Sequence, residues 1–248
     1  MNPFMDSPLL QVERLQLGVD SRLLVRDLSL QLERGQRWAV LGRNGVGKST
    51  LLRTLAGLGS GSVPVRLFGR LLSDWSPSQL AGLRALMPAQ PVDRFQLDVL
   101  ESLLLVQPSP DPAAAMAWLE RVDAAQLAAR DLTRLSAGER QRVALAQALA
   151  QQAALLLLDE PASFQDPAHQ TRLARLLASC ADRTLLLVAH DLNWVVDVAT
   201  HVLGLREDGS WIAGPAEQLL QPAILQSIYG CGWQRLPGSG GRDYWAPL

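Results

Sequence analysis

Apolar and polar residues follow two different patterns along this chain. Residues 8–41 alternate as the strands of a small antiparallel sheet do, and the stretch "GSVPVRLFGRLL" continues that alternation. The runs "WAVL", "ALLLL" and "TLLLV" are uninterrupted, which is typical of parallel strands buried on both faces. The pattern therefore predicts an α/β protein with a mainly parallel core sheet and an antiparallel β subdomain.

A third pattern, with helical spacing, covers residues 86–152. "QPSPDP" breaks the chain at 107–112, and an amphipathic helix resumes in "AAAMAWLERVDAAQLAAR". We expect an inserted, mainly helical lobe here. The residues on either side, 8–85 and 153–232, would form a catalytic lobe of the same domain, and 233–248 a C-terminal tail.

Within this lobe, the stretch "RLSAGERQR" predicts the start of a helix near Gly138. Ser136 and Glu139 have the spacing of a capping box, in which each side chain accepts a hydrogen bond from a backbone amide of the first turn. The helix that follows would bury one apolar stripe and expose Arg140 and Arg142. Taken alone, the stretch requires no role beyond capping.

The strongest motif surrounds Lys48, the only lysine among 23 basic residues. "GRNGVGKS" matches the phosphate loop G-x-x-x-x-G-K-[ST], with an apolar strand before it and a helix after it. Glycines let backbone amides approach phosphate oxygens, Lys48 reaches the terminal phosphates, and Ser49 ligates Mg²⁺. Kinases, GTPases and transport ATPases share this loop. The predicted nucleotide-binding residues are Gly42, Arg43, Asn44, Gly45, Val46, Gly47, Lys48, Ser49 and Thr50.

Two further apolar runs end in residues able to act on a phosphate. "ALLLLDEP" ends in Asp159 and Glu160, and "TLLLVAH" ends in His190. Either run alone is better explained as a core strand that enters a polar loop. Because the carboxyl ends of parallel strands meet at one edge of a sheet, we expect both to meet the phosphate loop. Asp159 would then bind Mg²⁺ through water, and Glu160 would orient or deprotonate the attacking water.

Composition excludes several classes of function. The formal net charge is -1, so no basic field favours nucleic acid as a partner. The apolar runs are shorter than the roughly 18 residues that a membrane span needs. The first ten residues lack the pattern of a secretory signal, so we expect a cytoplasmic protein.

Cys180 and Cys231 have no metal-ligand spacing and are expected to be packing residues.

The order of these motifs resembles that of the nucleotide-binding subunit of an ATP-binding cassette (ABC) protein, over nearly the whole chain. The phosphate loop is followed by "LSAGE" at 135–139, "LLLLDEP" at 155–161, "SFQD" at 163–166, and His190 after the next strand. The resemblance implies the phosphate-loop NTPase fold of the ABC type, with ATP and Mg²⁺ as cofactors. It also implies a second copy of the chain as partner, because the signature helix of this family binds the ATP held by the other copy.

The resemblance also implies residue roles. Glu160, His190 and Lys48 would be catalytic, with His190 contacting the γ-phosphate and the attacking water. Asp166 of the D-loop would communicate between the two ATP sites. Ser49, Asp159 and Gln90 would hold Mg²⁺. The signature residues that bind the partner's ATP would be Leu135, Ser136, Ala137, Gly138 and Glu139.

Several positions depart from the family pattern. Val19 stands near the place of the aromatic residue that usually stacks on adenine, so base recognition is expected to be weaker or supplied elsewhere. The Q-loop glutamine aligns with Ala89, and only a one-residue shift makes Gln90 the Mg²⁺ partner. The signature has Ala137 and Glu139 where glycine and glutamine are usual, and the added carboxylate could weaken phosphate binding.

Two stretches, "LSDWSPSQLAGLRALMPAQ" and "PAEQLLQPAILQSIYGCGW", resemble ATPase subunits of importers of iron-siderophore, haem and vitamin B12. This implies integral membrane permease subunits as partners, a periplasmic substrate-binding protein as an indirect partner, and a peripheral location on the cytoplasmic face of the inner membrane. We hypothesise that "PVDRFQL" at 91–97 lines the groove for a permease helix. Packing of Val92, Phe95 and Leu97 inside the lobe is an equal alternative.

Other functions remain compatible with the same motifs. A soluble ABC ATPase of iron-sulfur cluster assembly or nucleic-acid maintenance would use the same residues, as would an ABC subunit for another cargo or for export. A phosphate-loop kinase or GTPase is a third reading, although it leaves "LSAGE" unexplained. The identity of the membrane partner would distinguish the transporter from the soluble ATPases.

Overall fold

The computed structural model describes residues 7–20, 22–59, 63–91, 96–238 and 243–248. Its strands are β1 (Leu10–Val19), β2 (Arg22–Leu32), β3 (Arg37–Leu41), β4 (Val65–Leu67), β5 (Arg70–Leu71), β6 (Arg84–Met87), β7 (Leu155–Asp159), β8 (Thr184–Val188), β9 (His201–Leu205), β10 (Trp211–Pro215), β11 (Trp233–Pro237) and β12 (Asp243–Pro247). Its α-helices are α1 (Lys48–Leu55), α2 (Pro77–Leu83), α3 (Val99–Val106), α4 (Pro112–Arg121), α5 (Ala137–Ala150), α6 (Pro167–Ser179), α7 (Leu192–Val198), α8 (Ala216–Leu219) and α9 (Pro222–Tyr229). Short 3₁₀ helices cover Leu72–Asp74, Ala125–Leu127 and Leu132–Arg134.

The core is a six-stranded sheet in the order β10-β9-β3-β8-β7-β6. All neighbouring pairs are parallel except β9 and β10. The three uninterrupted apolar runs form β3, β7 and β8, which are adjacent, and all residues of β7 and β8 are buried. Because these strands are parallel neighbours, the segments that follow them meet at one edge, as expected.

A separate four-stranded sheet has the order β2-β1-β4-β5, with every pair antiparallel. Its apolar face and the phosphate-loop helix share one hydrophobic cluster, in which Leu28 and Val65 pack with Leu51 and Leu52. The predicted antiparallel subdomain is therefore present, and it lies directly against the phosphate loop.

Helices α3, α4 and α5 lie together in a second hydrophobic cluster, which also includes core strand residues. The predicted boundary of this lobe at residue 86 lies inside β6, which pairs with β7 in the core sheet. The expected tail at 233–248 includes the hairpin β11-β12, and Asn193 of α7 exchanges two hydrogen bonds with the backbone of Trp245.

One expectation about exposure is wrong, and one about the permease groove stays a prediction. Arg140 and Arg142 are half-buried: Arg140 donates to the carbonyl oxygen of Leu135 before α5, and Arg142 donates to the Gln165 side chain before α6. The proposed permease groove at 91–97 includes residues 92–95, which lie outside the described residues. Within the described residues, no helix combines the length and the apolar character needed to cross a membrane.

Candidate functional site

The phosphate loop occupies residues 42–47 between β3 and α1, and Lys48, Ser49 and Thr50 begin the helix. Gly47 has φ of 107°, and a Cβ there would lie 3.0 Å from the Leu24 side chain, so only glycine fits the turn. The Lys48 side chain folds back along the loop, where its Nζ donates to the carbonyl oxygens of Gly42 at 2.8 Å and Arg43 at 3.0 Å.

This arrangement suits a phosphate group. Helix α1 begins after Gly47, which has no side chain to cap it, so backbone N–H groups of the first turn can bind an anion. Burial lowers the pKa of Lys48, while Glu160 and Asp159 oppose that shift. The ammonium group lies close to both strand-end carboxylates, where a terminal phosphate would be acted on.

Asp159 ends β7 beside Val188 of β8, and is 4% exposed. Burial raises the pKa of Asp159, whereas the hydroxyl of Ser49, which donates to its Oδ1 at 3.1 Å, acts to lower it. A hydroxyl and a carboxylate oxygen at this distance are hard oxygen donors of the kind that Mg²⁺ prefers. Among the described residues, no group of three or more His, Cys, Asp or Glu side chains could hold a metal alone. The pair thus fits a Mg²⁺ that also binds substrate phosphates.

Glu160 and His190 form the reactive end of the site. Nε2 of His190 lies 2.6 Å from Oε1 of Glu160, and the Ser163 hydroxyl donates to Oε2 at 2.9 Å. Burial raises the pKa of Glu160, but the hydrogen bonds from His190 and Ser163 outweigh it, so the net shift is downward. These hydrogen bonds therefore favour the ionised form of Glu160, which can accept a proton.

Sequence reasoning missed the residue that holds the backbone of Glu160. The backbone of Glu160 has φ of 52°, a conformation that residues other than glycine rarely adopt. Gln141 of α5 is 1% exposed, and its Nε2 donates to the Glu160 carbonyl oxygen at 2.8 Å. The sequence signal is weak, because a glutamine within an amphipathic helix is usually exposed.

Lys48, Ser49, Glu160 and His190 line one open cleft of about 870 Å³, whereas the buried Asp159 is not among its lining residues. That volume is within the range of small-molecule sites. Its lining residues are Val19, Asp20, Arg22, Leu24, Asn44, Gly45, Gly47, Lys48, Ser49, Thr50, Glu160 and His190. Gln90 lies after β6, is exposed, and is not among them. The cleft therefore combines a phosphate loop, an ionised carboxylate and an imidazole.

The signature stretch is placed differently. Ser136 caps α5, with its Oγ accepting from the Glu139 amide at 3.3 Å while Glu139 accepts from the Ser136 amide at 2.9 Å. The capping box is thus as predicted, and none of residues 135–139 is among those that line the cleft. Arg130 lies 3.2 Å from the Glu139 carboxylate, which offsets the added negative charge at this helix end.

The D-loop packs against this helix end. Gln165 Nε2 donates to the Gly138 carbonyl oxygen at 2.9 Å, and Gln165 Oε1 accepts from Arg142 at 3.1 Å. A Cβ at Gly138 would lie 2.7 Å from the Phe164 carbonyl oxygen, so this contact requires glycine. The sequence analysis assigned no role to Gln165.

Asp166 caps α6 and lies 2.8 Å from His169 Nδ1, while His169 Nε2 lies 3.0 Å from Asp123 after α4. Hydrogen bonds from the His169 amide and side chain lower the pKa of Asp166. The D-loop is thereby linked to the helical lobe. His169, to which the sequence assigned no function, supplies this link.

Comparison with known proteins identifies the family of this chain. Residues 25–163 match the family model described as ABC transporter. The hemin import ATP-binding protein of Deinococcus radiodurans is 40% identical over 90% of this chain and 91% of its own length. The vitamin B12 import ATP-binding protein of Vibrio cholerae is 37% identical, with coverage of 94% and 97%. The iron(3+)-hydroxamate import ATP-binding protein of Bacillus subtilis is 32% identical, with coverage of 89% and 87%.

A similar solved structure is a chain of a metal-chelate type ABC transporter in an inward-facing conformation. It has a TM-score of 0.81 and 27% identity, and the match covers 98% of both chains. The family match includes the phosphate loop, the signature and the strand-end carboxylates, and the fold agrees throughout. The chain belongs to the ABC transporter family and is one of its ATP-binding subunits.

Proposed function

We propose that this chain is the ATP-hydrolysing subunit of an importer for a metal chelate, such as iron-siderophore, haem or cobalamin. It works as a dimer with a second copy, bound to permease subunits on the cytoplasmic face of the inner membrane, and a periplasmic binding protein delivers the cargo. The observation that carries the proposal is the single cleft in which Lys48, Glu160 and His190 meet. Relatives named for hemin, hydroxamate and B12 import suggest the cargo class.

In this proposal ATP lies along the cleft with its phosphates on the first turn of α1. Lys48 neutralises charge on the terminal phosphates, and Ser49 and Asp159 hold the Mg²⁺, with Gln90 as its expected third protein partner. When bound, Mg²⁺ neutralises charge on the phosphates during transfer to water. Glu160 accepts the proton of the attacking water, and the His190 imidazole, 2.6 Å from Oε1, orients that carboxylate and contacts the γ-phosphate.

The signature residues act on the ATP of the second copy. Ser136 is exposed and lies at the N-terminal end of α5, where the helix dipole favours an anion. Since residues 135–139 do not line the cleft of their own chain, a head-to-tail dimer supplies what each site lacks. Gln141 and Gln165 connect this helix to Glu160 and to the D-loop, so closure and hydrolysis are coupled.

The test is capture of the Glu160→Gln protein with ATP and Mg²⁺ from detergent-solubilised native membranes. Recovery of a polytopic membrane protein supports the transporter function, and uptake assays on that complex with metal chelates then identify the cargo. The matched control is the same variant with Ser136→Arg added, which binds ATP without closing. Recovery of soluble scaffold proteins alone would contradict the proposal in favour of a soluble ABC ATPase.

A further inference from the structure

The nucleotide cleft extends beyond the phosphate loop to the turn between β1 and β2. Val19, Asp20, Arg22 and Leu24 line the cleft together with the phosphate loop, Glu160 and His190. The proposed hydrolysis uses none of these four side chains. This part of the cleft is therefore available for the part of ATP that carries no phosphate.

Leu24 holds this turn against the phosphate loop. In the pairing of β1 with β2, Leu17 lies opposite Val25 and Gly18 opposite Leu23, so Leu24 is an extra residue in a β-bulge. A bulge changes the direction of a side chain, and here Leu24 packs against Gly47 while Val25 is buried in the sheet. Leu24 therefore holds the start of β2 against the phosphate loop.

Val19 and Arg22 are partners across the two strands. Directly opposite residues project from the same face of a sheet, with their Cβ atoms about 5 Å apart. The Val19 side chain is 45% exposed and Arg22 is exposed. Within the described part of the chain, no hydrogen bond or ion pair holds the Arg22 guanidinium. The pair presents an apolar surface beside a planar cation.

We propose that Arg22 stacks its guanidinium on the adenine ring of ATP, with Val19 against the edge of the ring. This rests on the proposed function, in that ATP is the ligand. A planar guanidinium stacks on aromatic faces, whereas a lysine ammonium is a point charge without that geometry. The described lining of the cleft includes no Phe, Tyr or Trp side chain, so an arginine and a valine take the place of a large ring.

The test measures affinity by calorimetry for two probes, Mg²⁺-ATP and inorganic triphosphate, which lacks the base. Arg22→Ala is expected to weaken ATP binding about tenfold and triphosphate binding less than about twofold, since stacking of this kind is worth about a factor of ten. Arg22→Lys keeps the charge and is expected to recover little of the loss. The matched control, Arg26→Ala, removes the same charge from the same strand outside the cleft and leaves both affinities unchanged.

A second variant adds a ring at this place. In the Arg22→Ala background, Val19→Tyr is expected to restore most of the ATP affinity without changing triphosphate binding. Equal weakening of both probes by Arg22→Ala would overturn the inference, because Arg22 would then act only by attracting phosphate charge. Unchanged ATP affinity in Arg22→Ala would also overturn it. If the wild-type protein bound neither probe, the proposed function itself would be wrong.

Discussion

The nucleotide cleft and the signature edge, which is the start of α5 at Ser136 together with the D-loop at 163–166, differ in how far their residues are exposed. In the cleft, Lys48 is 5% exposed and its ammonium group is held by two carbonyl oxygens of the same loop. At the signature edge, Ser136 is exposed and Phe164 of the D-loop is 65% exposed. Both regions include the N-terminus of a helix, but only the first lies in a cleft lined by this chain. We therefore expect the second edge to contact a second copy, as the proposed function requires.

The largest effect is expected in the cleft. Glu160→Gln should lower the ATP turnover by about 10²–10⁴-fold, because the general base is lost, while ATP binding is kept. Steady-state phosphate release and equilibrium ATP binding measure the two quantities. Glu139→Gln makes the same chemical change at the signature edge, and should have a small effect because glutamine also completes a capping box. Equal losses in both variants would contradict the division between the two regions.

The next effect concerns the number of complete ATP sites in a dimer, since the cleft and the signature edge of one site come from different copies. Ser136→Arg should bind ATP normally but fail to dimerise, because a bulky cation occupies the place of the partner's phosphate. Size-exclusion chromatography with light scattering, in the Glu160→Gln background, measures the dimer. Mixing Ser136→Arg with Lys48→Ala should restore one of the two sites, and thus about half of the activity. Full activity of Ser136→Arg alone would mean that the signature has no role between chains.

A smaller effect is expected where the two regions are joined. Gln165→Leu removes the bond to Gly138 and leaves Arg142 without its acceptor, which should cost about 1–3 kcal/mol of unfolding free energy. Turnover should fall several-fold while ATP affinity stays constant. Gln165→Glu keeps the acceptor for Arg142, and should recover stability but not turnover. Recovery of both would show that the bond to Gly138 carries no coupling.

The smallest effect concerns the pH dependence of turnover. The Ser163 hydroxyl donates to Glu160 and stabilises its ionised form, so Ser163→Ala should raise the pKa of that carboxyl. As the solution is acidified, the Glu160 carboxylate of the variant is then protonated at a higher pH than that of the wild type. The acid limb of the kcat profile should move upward, whereas Ser179→Ala, on the exposed end of α6, should leave it in place. A downward movement would contradict the assigned hydrogen bond.

Local patterns in the sequence were sufficient to predict the phosphate loop, the capping box and the carboxylates at the end of β7. Each depends on residues close in the chain, whose spacing sets the backbone: glycine before Lys48 opens the turn, and the serine to glutamate spacing at 136–139 starts a helix. The apolar runs also determined which strands are buried on both faces, and so which strand ends would meet.

Only the tertiary structure decided which distant residues complete the site. Gln141 reaches Glu160, and Gln165 reaches Gly138, because α5 packs beside the ends of β7 and α6. Arg22 faces the cleft because a bulge at Leu24 sets the register of two strands. Such contacts depend on long-range packing and strand pairing. A shift of the strand register by one residue turns each side chain to the other face of the sheet, so these contacts cannot be predicted from local spacing.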